Sequence, residues 1–352
     1  MRYDTILDAI GNTPMVRLNR LTEPTDATVW VKLECLNPGG SVKARPALGM
    51  IREALRSGAL TEDGTIVEAT SGNLGIALAM IGAALGIRVK IMVDPRTPAL
   101  SVRTIAAYAA EPTLVEKPDE HGKYQIPRIQ AAEAIAHTVE GAYMPNQWDN
   151  PDNPAAHSTT TAAEILDDLD GDVDAIVCTT SSCGQITGIG RRIKQTRRDC
   201  RMVAVDGRGS TAIGGPMGRH LLVGLGSGFT PGNFDPATID EAYWCGDTEA
   251  FSTCRLLAGN EGLLLGGSSG AAVFIALAVA QRLGPRHNVV AVAPDGGDRY
   301  LDTIYDDTWI RDHDLALIPT IAALRDRLTD YAPFPGCQLE PWRHYPAGPT
   351  VI

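Results

Sequence analysis

Three observations predict a doubly wound α/β protein. Short β-branched runs alternate with Ala- and Leu-rich stretches of helical period along most of the chain. Loops rich in Gly, Ser, Thr or Asn recur where a strand or turn hands over to a helix, the edge at which such folds hold ligands. The 352 residues suffice for two domains, at roughly 150 residues each.

In chain order, Thr28 to Leu33 reads as a strand and Pro46 to Arg56 as a helix, with the proline suited to its opening turn. Thr65 to Ala69 and Val89 to Val93 read as strands around a helix at Gly75 to Leu85, and Ile126 to Ala136 as a further helix. The density of Pro and Asn from Ala142 to Pro154 breaks both periodicities and marks a domain junction. Beyond it, helices at Ala162 to Asp168, Ile186 to Arg197 and Ala271 to Leu283 alternate with strands at Ala175 to Cys178, Met202 to Val205 and Val289 to Val292. After about residue 313 the character changes. Ile321 to Leu328 reads as one more helix, and Pro333, Pro335, Pro341, Pro346 and Pro349 then forbid regular structure. Phe334, Trp342 and Tyr345 suit this tail to an apolar surface, its own body or a partner subunit, or else the terminus frays.

Composition is that of a globular protein, 44% hydrophobic and 21% charged. The formal charge of −11, without clusters of Lys and Arg among aromatics, argues against nucleic acid as a partner. Seven cysteines form no CxxC pair and no metal-like spacing with histidine, which points to a reduced cytosol and no metal site. The N-terminus lacks the apolar core of a signal peptide, and stretches such as Ile76 to Leu85 are too short to span a bilayer, so the chain reads as cytoplasmic and not membrane-bound.

Four loops carry the chemistry. In NPGGSVKAR, Asn37 to Arg45, Lys43 stands near a helix N-terminus in a glycine-lined setting, and both disfavour an ammonium. A lysine so placed suits Schiff-base chemistry; an isolated lysine would more often be a solvated surface residue. TSGNLG, Thr70 to Gly75, offers amides and hydroxyls to a substrate carboxylate. TTSSCGQITG, Thr179 to Gly188, has the same strand-loop-helix setting and suits a phosphate, without the lysine of a P-loop. GGSSG, Gly266 to Gly270, opens a helix and reads equally as an ordinary serine-rich cap. A lysine with a carboxylate cradle and a phosphate cradle is most economically a pyridoxal phosphate site for an amino acid.

In this order the loops, together with GNTPMVRL at Gly11 to Leu18, NQWDNPDNPAAH at Asn146 to His157 and GLGSGFTPGN at Gly224 to Asn233, resemble the fold-type II pyridoxal phosphate enzymes, the cysteine synthase and cystathionine β-synthase group. The resemblance covers about residues 4 to 310. It implies two doubly wound αβα domains with the cofactor between them in a homodimer: a smaller, mobile carboxylate-binding domain at 38–150, a larger cofactor-binding domain from 1–37 and 151–313, and a Pro-rich extension at 314–352. Carried over by position, Lys43 is the catalytic lysine that holds the cofactor and moves the substrate Cα proton, and Asn73 bonds the ring hydroxyl oxygen. Thr70, Ser71, Gly72 and Asn73 with Gln147 clasp the substrate carboxylate. Ser181, Ser182, Cys183, Gly184 and Gln185 form the phosphate loop. Ser268 faces the pyridine nitrogen, where a serine in place of an aspartate favours β-elimination over transamination.

Departures from the cysteine synthase pattern narrow the expectation. Leu74 removes a hydroxyl from the carboxylate cradle, and the bulkier Ser181–Gln185 loop narrows the space over the cofactor. The segments KPDEHGKY at Lys117 to Tyr124 and PDGGDRYLDTIYDDTW at Pro294 to Trp309 are similar to the branch that makes N-(2-amino-2-carboxyethyl)-L-glutamate from O-phospho-L-serine and L-glutamate through an α-aminoacrylate, on the route to 2,3-diaminopropionate for siderophores and antibiotics. Arg128 is then the candidate cation for the second substrate, with Trp148 and Ser181 shaping its pocket; a surface helix arginine is the plain alternative. His121 gates that loop or caps a turn, and Cys183 is a small filler. A cysteine synthase using sulfide, a relative using aspartate, and a non-catalytic regulatory subunit stay open as alternatives.

Overall fold

The computed structural model describes residues 2–70, 72–120, 122–197 and 199–334. In chain order its elements are β1 (Met15–Arg17), β2 (Thr28–Leu33), α1 (Ala44–Ser57), β3 (Thr65–Ala69), α2 (Asn73–Leu85), β4 (Arg88–Val93), α3 (Ala99–Ala107), β5 (Glu111–Leu114), α4 (Gln125–Thr138) and β6 (Ala142–Tyr143). There follow α5 (Asp152–Thr159), α6 (Thr161–Asp168), β7 (Ala175–Thr179), α7 (Gly184–Thr196), β8 (Arg201–Gly207), β9 (Glu241–Cys245), α8 (Asp247–Glu261), α9 (Gly267–Leu283), β10 (Asn288–Ala293), α10 (Asp307–Asp312) and α11 (Ile321–Thr329). Two sheets result. One has six strands in the order β1-β2-β10-β7-β8-β9, and the other four in the order β5-β4-β3-β6. Apart from the antiparallel β1–β2 pair the registers are parallel.

The period of two along each strand decides which layer it feeds. In β7, Ala175 and Val177 join a core with Phe251 of α8 and Phe274 of α9, whereas Ile176 and Cys178 face Ile186, Ile189 and Ile193 of α7. β3 does the same in the smaller sheet: Ile66 packs with the helices α1 and α2, and Val67 and Ala69 pack with Ile129, Ala132 and Trp148. Helix α9 is apolar around its whole circumference from Ala271 to Ala280, and all of that stretch is buried.

Every expected strand and helix is present, most of them extended by one to four residues. The periodicity did not disclose β1, β5, β6, β9, α3, α5, α8 or α10. The junction at Ala142 to Pro154 is more ordered than its prolines suggested: it holds the two residues of β6 and the first turn of α5, where Pro154 needs no intrahelical partner for its nitrogen. The chain passes there from the smaller sheet to the larger. In the tail, α11 buries Leu324 and Leu328, and Phe334 stacks on Trp244 of β9 at 4.1 Å between ring centroids. Phe334 thus lies on the protein's own body. Trp342, Tyr345 and the prolines from Pro335 onward lie outside the described residues.

Candidate active site

Lys43 stands at the N-terminus of α1, reached through Gly39 and Gly40, whose φ values of 81° and 75° belong to the left-handed region that glycine tolerates. The Val42 N–H donates to the carbonyl of Pro294 at 2.8 Å, which ties the lysine loop to the end of β10. Two residues on, the Arg45 guanidinium is clamped by Glu34 (2.7 and 2.8 Å) and by Glu164 (2.6 and 2.7 Å). Lys32 closes the same buried network on Glu164 at 2.9 Å. Burial of the surrounding protein lowers the Lys43 pKa from the usual lysine value, and the nearby charges of Asp295 and Cys183 oppose that shift.

Asp295, at the end of β10, is the acid at the centre of this site. Its carboxylate accepts from Asn73 Nδ2 at 2.8 Å and from the Tyr300 hydroxyl at 2.7 Å, and Ser268 Oγ lies 3.5 Å away. Arg299 donates to Asn73 Oδ1 and, at 2.6 Å, to the carbonyl of Gly39. Asp295 therefore gathers Lys43, Asn73 and Ser268, three residues expected from sequence. Its own carboxyl is pushed up by burial, against its hydrogen bonds and Arg299. The segment PDGGDRYLD pointed to this stretch of chain, but not to the role of its aspartate.

The expected carboxylate cradle has two parts. Thr70 follows β3, its Oγ1 accepts from the Gly72 N–H at 3.3 Å, and Asn73 begins α2. Ser71 lies outside the described residues. Gln147 is buried; its carbonyl accepts from Asn153 Nδ2 (2.7 Å) and Asn233 Nδ2 (2.9 Å), and its N–H donates to Glu68 Oε2 (3.3 Å). Asn153 also reaches Ser182 Oγ at 3.3 Å, joining this part to the loop after β7.

That loop ends in Cys183, which has a φ of 60° and precedes the first turn of α7. Gly184 admits no side chain, because a Cβ there would meet Asn153 at 2.0 Å. The thiol of Cys183 is buried in the α7 core and raised by that burial, consistent with a filler. Gln185 Nε2 is buried without a hydrogen-bond partner, a donor held at a helix N-terminus. A phosphate would satisfy both. The residues present are of types that fit pyridoxal phosphate: Lys43 would meet its aldehyde, Asn73 its ring hydroxyl, Ser268 its ring nitrogen and Ser181 to Gln185 its phosphate.

The expected second-substrate group is less simply placed. Arg128 is buried in α4 with Nε 3.1 Å from Asp94 Oδ2, and its Nε and Nη1 have no hydrogen-bond partner. Trp148 is buried and meets Phe229 edge-on at 5.1 Å, its Nε1 unpartnered. Leu74 is buried in the core between α2 and the smaller sheet. His121 lies outside the described residues. Among those described, no group of side chains is placed to hold a metal ion, and no helix is long and apolar enough to cross a membrane.

Comparison with known proteins gives the family. Residues 6–295 match the family model described as pyridoxal-phosphate dependent enzyme. The solved structure of O-ureido-L-serine synthase is 35% identical and superposes with a TM-score of 0.81, over 88% of this chain and 100% of that one. The O-acetylserine dependent cystathionine β-synthase of Helicobacter pylori is 36% identical, with a TM-score of 0.81 over 87% and 100% of the two chains. The cysteine synthase of Entamoeba histolytica is 31% identical, with a TM-score of 0.84 over 93% and 96%. The chain belongs to the pyridoxal-phosphate dependent enzymes, and within them to the β-substituted alanine synthase type.

Proposed function

We propose that the enzyme replaces the β-substituent of O-phospho-L-serine with the amine of L-glutamate, giving N-(2-amino-2-carboxyethyl)-L-glutamate and phosphate. The observation that carries the reaction class is the Lys43 amine, depressed by burial and grouped through Asp295 with Asn73 and Ser268. Pyridoxal phosphate, when bound, supplies the electron sink that makes the substrate Cα–H acidic. The neutral amine of Lys43 takes that proton, while Thr70, Gly72, Asn73 and Gln147 hold the α-carboxylate and so direct the Cα–H bond toward it. Loss of the proton allows the β-substituent to depart as an anion. The nucleophile then adds its nitrogen lone pair at Cβ, and Lys43 returns the proton to Cα.

The choice of substrates rests on the KPDEHGKY and PDGGDRYLDTIYDDTW segments. A second reading has its own support: Arg128 already faces Asp94, which leaves less of its charge for a carboxylate of the nucleophile, and this favours a small nucleophile such as sulfide. The relative named as a cysteine synthase points the same way.

The deciding experiment crosses O-phosphoserine and O-acetylserine with glutamate, aspartate and sulfide, and weighs the products by mass spectrometry. The first reading expects the glutamate adduct and inorganic phosphate from the O-phosphoserine–glutamate pair. Cysteine as the only product would replace it with the second. We also propose a cytoplasmic homodimer, which light scattering on the purified holoenzyme tests for its oligomeric state.

A further inference from the structure

We infer that Glu68 is the positioning residue that locks the two parts of the carboxylate cradle together. The inference rests on the reading of Thr70–Asn73 and Gln147 as that cradle.

Glu68 is fully buried in β3, two residues before Thr70. One carboxylate oxygen, Oε1, accepts from the Ala69 N–H at 2.7 Å, and the other, Oε2, accepts from the Gln147 N–H at 3.3 Å. These contacts bracket the cradle: Ala69 leads directly into the Thr70 loop, and Gln147 arrives from a segment 79 positions away in sequence. The carbonyl of Gln147 is held by Asn153 and Asn233, and Glu68 restrains the peptide plane on the other side of the Gln147 Cα. Both N–H groups lose their acceptor if the carboxylate is removed, and a buried donor without a partner is costly.

An aspartate or glutamate at the end of a buried strand has no packing reason to be there, and here stability argues against it. Burial pushes the Glu68 carboxyl up to about 7, against the hydrogen bonds of Ala69, Gln147 and Asn146 and the charge of Arg128. Because the folded value exceeds the unfolded one near 4.5, ionisation weakens the fold as pH rises between the two, so the charge is retained at a cost. The charged and titratable groups facing it are Arg128 from α4, itself 3.1 Å from Asp94 beyond β4, and Tyr143 from β6. Arg128 is the cation among them.

An ionised carboxylate accepts from both N–H groups more strongly than the protonated form, in which one oxygen becomes a donor. The cradle should accordingly tighten as pH rises through about 7.

The test uses holoenzyme and glycine, a carboxylate-bearing probe with no leaving group, with its dissociation constant measured by calorimetry from pH 6 to 8.5. Wild-type binding should strengthen across that range. Glu68→Gln should weaken glycine about 10- to 100-fold at pH 8, raise KM for the activated serine more than it lowers kcat, and flatten the pH dependence. Glu68→Asp should restore part of the pH dependence. Unchanged affinity and pH profile in Glu68→Gln, while Gln147→Ala weakens glycine, would overturn the inference and leave the cradle standing. Unchanged affinity in Gln147→Ala would instead remove the cradle reading on which it rests.

Discussion

At the scale of single residues, the chemistry depends on two groups with opposing needs. Lys43 must be neutral to take a proton, and burial favours that, but the carboxylate of Asp295 favours the ammonium. Lys43→Ala should therefore abolish the visible cofactor band and turnover, and a retained band would show that another lysine holds the cofactor. Asp295→Asn should have a subtler effect. Removal of the carboxylate lowers the Lys43 pKa further, so the acid limb of the pH–rate profile should move to lower pH, and cofactor reconstitution should remain efficient at a pH where wild type is slow. An unmoved limb would show that Asp295 serves only as a hydrogen-bond acceptor for Asn73. Lys43 was legible in the sequence because a Gly-Gly turn and a proline-opened helix surround it. Asp295 was not, because its partner Asn73 lies 222 positions away and is brought to it only by the packing of two sheets.

At the scale of elements, the position of Lys43 is the position of α1, and α1 is fixed by the network of Arg45 with Glu34 and Glu164. Glu34 and Arg45 have almost no side-chain exposure, so Arg45→Ala should leave a buried carboxylate uncompensated and cost about 3–5 kcal/mol in urea unfolding. Glu164 gives the same network a pH signature. Burial alone would raise its carboxyl, but Arg45 prevails and holds it down at about 2. With the folded value below the unfolded one near 4.5, this contribution, about 3 kcal/mol, is complete above pH 4.5 and is lost as pH falls toward 2. Glu164→Gln should reduce the pH dependence of unfolding in that window, as measured by urea titrations at pH 5, 4 and 3. Elements of this kind are easy to read when they are long and uniformly apolar, as α9 is. The three residues of β1 and the two of β6 carry no usable period, and α8 mixes Thr, Cys, Arg and Asn with its apolar residues, because it borders the tail on one side. The strand-to-helix loops were legible from composition, whereas the burial of Leu74, one step into α2, follows that helix's register and not the loop's composition.

At the scale of the whole molecule, polar contacts at the site join elements of the two sheets, and residues 314–334 brace the larger one from outside. Asn73, at the start of α2 beside the smaller sheet, bonds Asp295 beyond β10 of the larger, and Arg299 bonds both Asn73 and Gly39. The site therefore reports how the sheets stand relative to each other, whereas the tail engages elsewhere. Arg325 of α11 pairs with Asp26 at 2.6 Å and Glu23 at 3.0 Å, and Tyr331 meets Phe274 edge-on at 4.7 Å. The Phe334 N–H donates to the Ala242 carbonyl at 3.1 Å, and its ring covers Trp244 on the edge strand β9. Asp26 has only 4% of its side chain exposed, so Arg325→Ala strands a nearly buried carboxylate and should cost about 3 kcal/mol. Phe334→Ala loses a stacked pair and its apolar burial, a further ~2–3 kcal/mol. The two sites share no partner, so the losses should add in the double variant. Neither substitution touches Asp295, Asn73 or Lys43, and the melting temperature should fall in each variant while the visible cofactor band and the KM for the activated serine stay at wild-type values. A loss of cofactor at temperatures well below the melting transition would show instead that the tail sets the relation of the sheets, and with it the geometry in which Asn73 reaches Asp295.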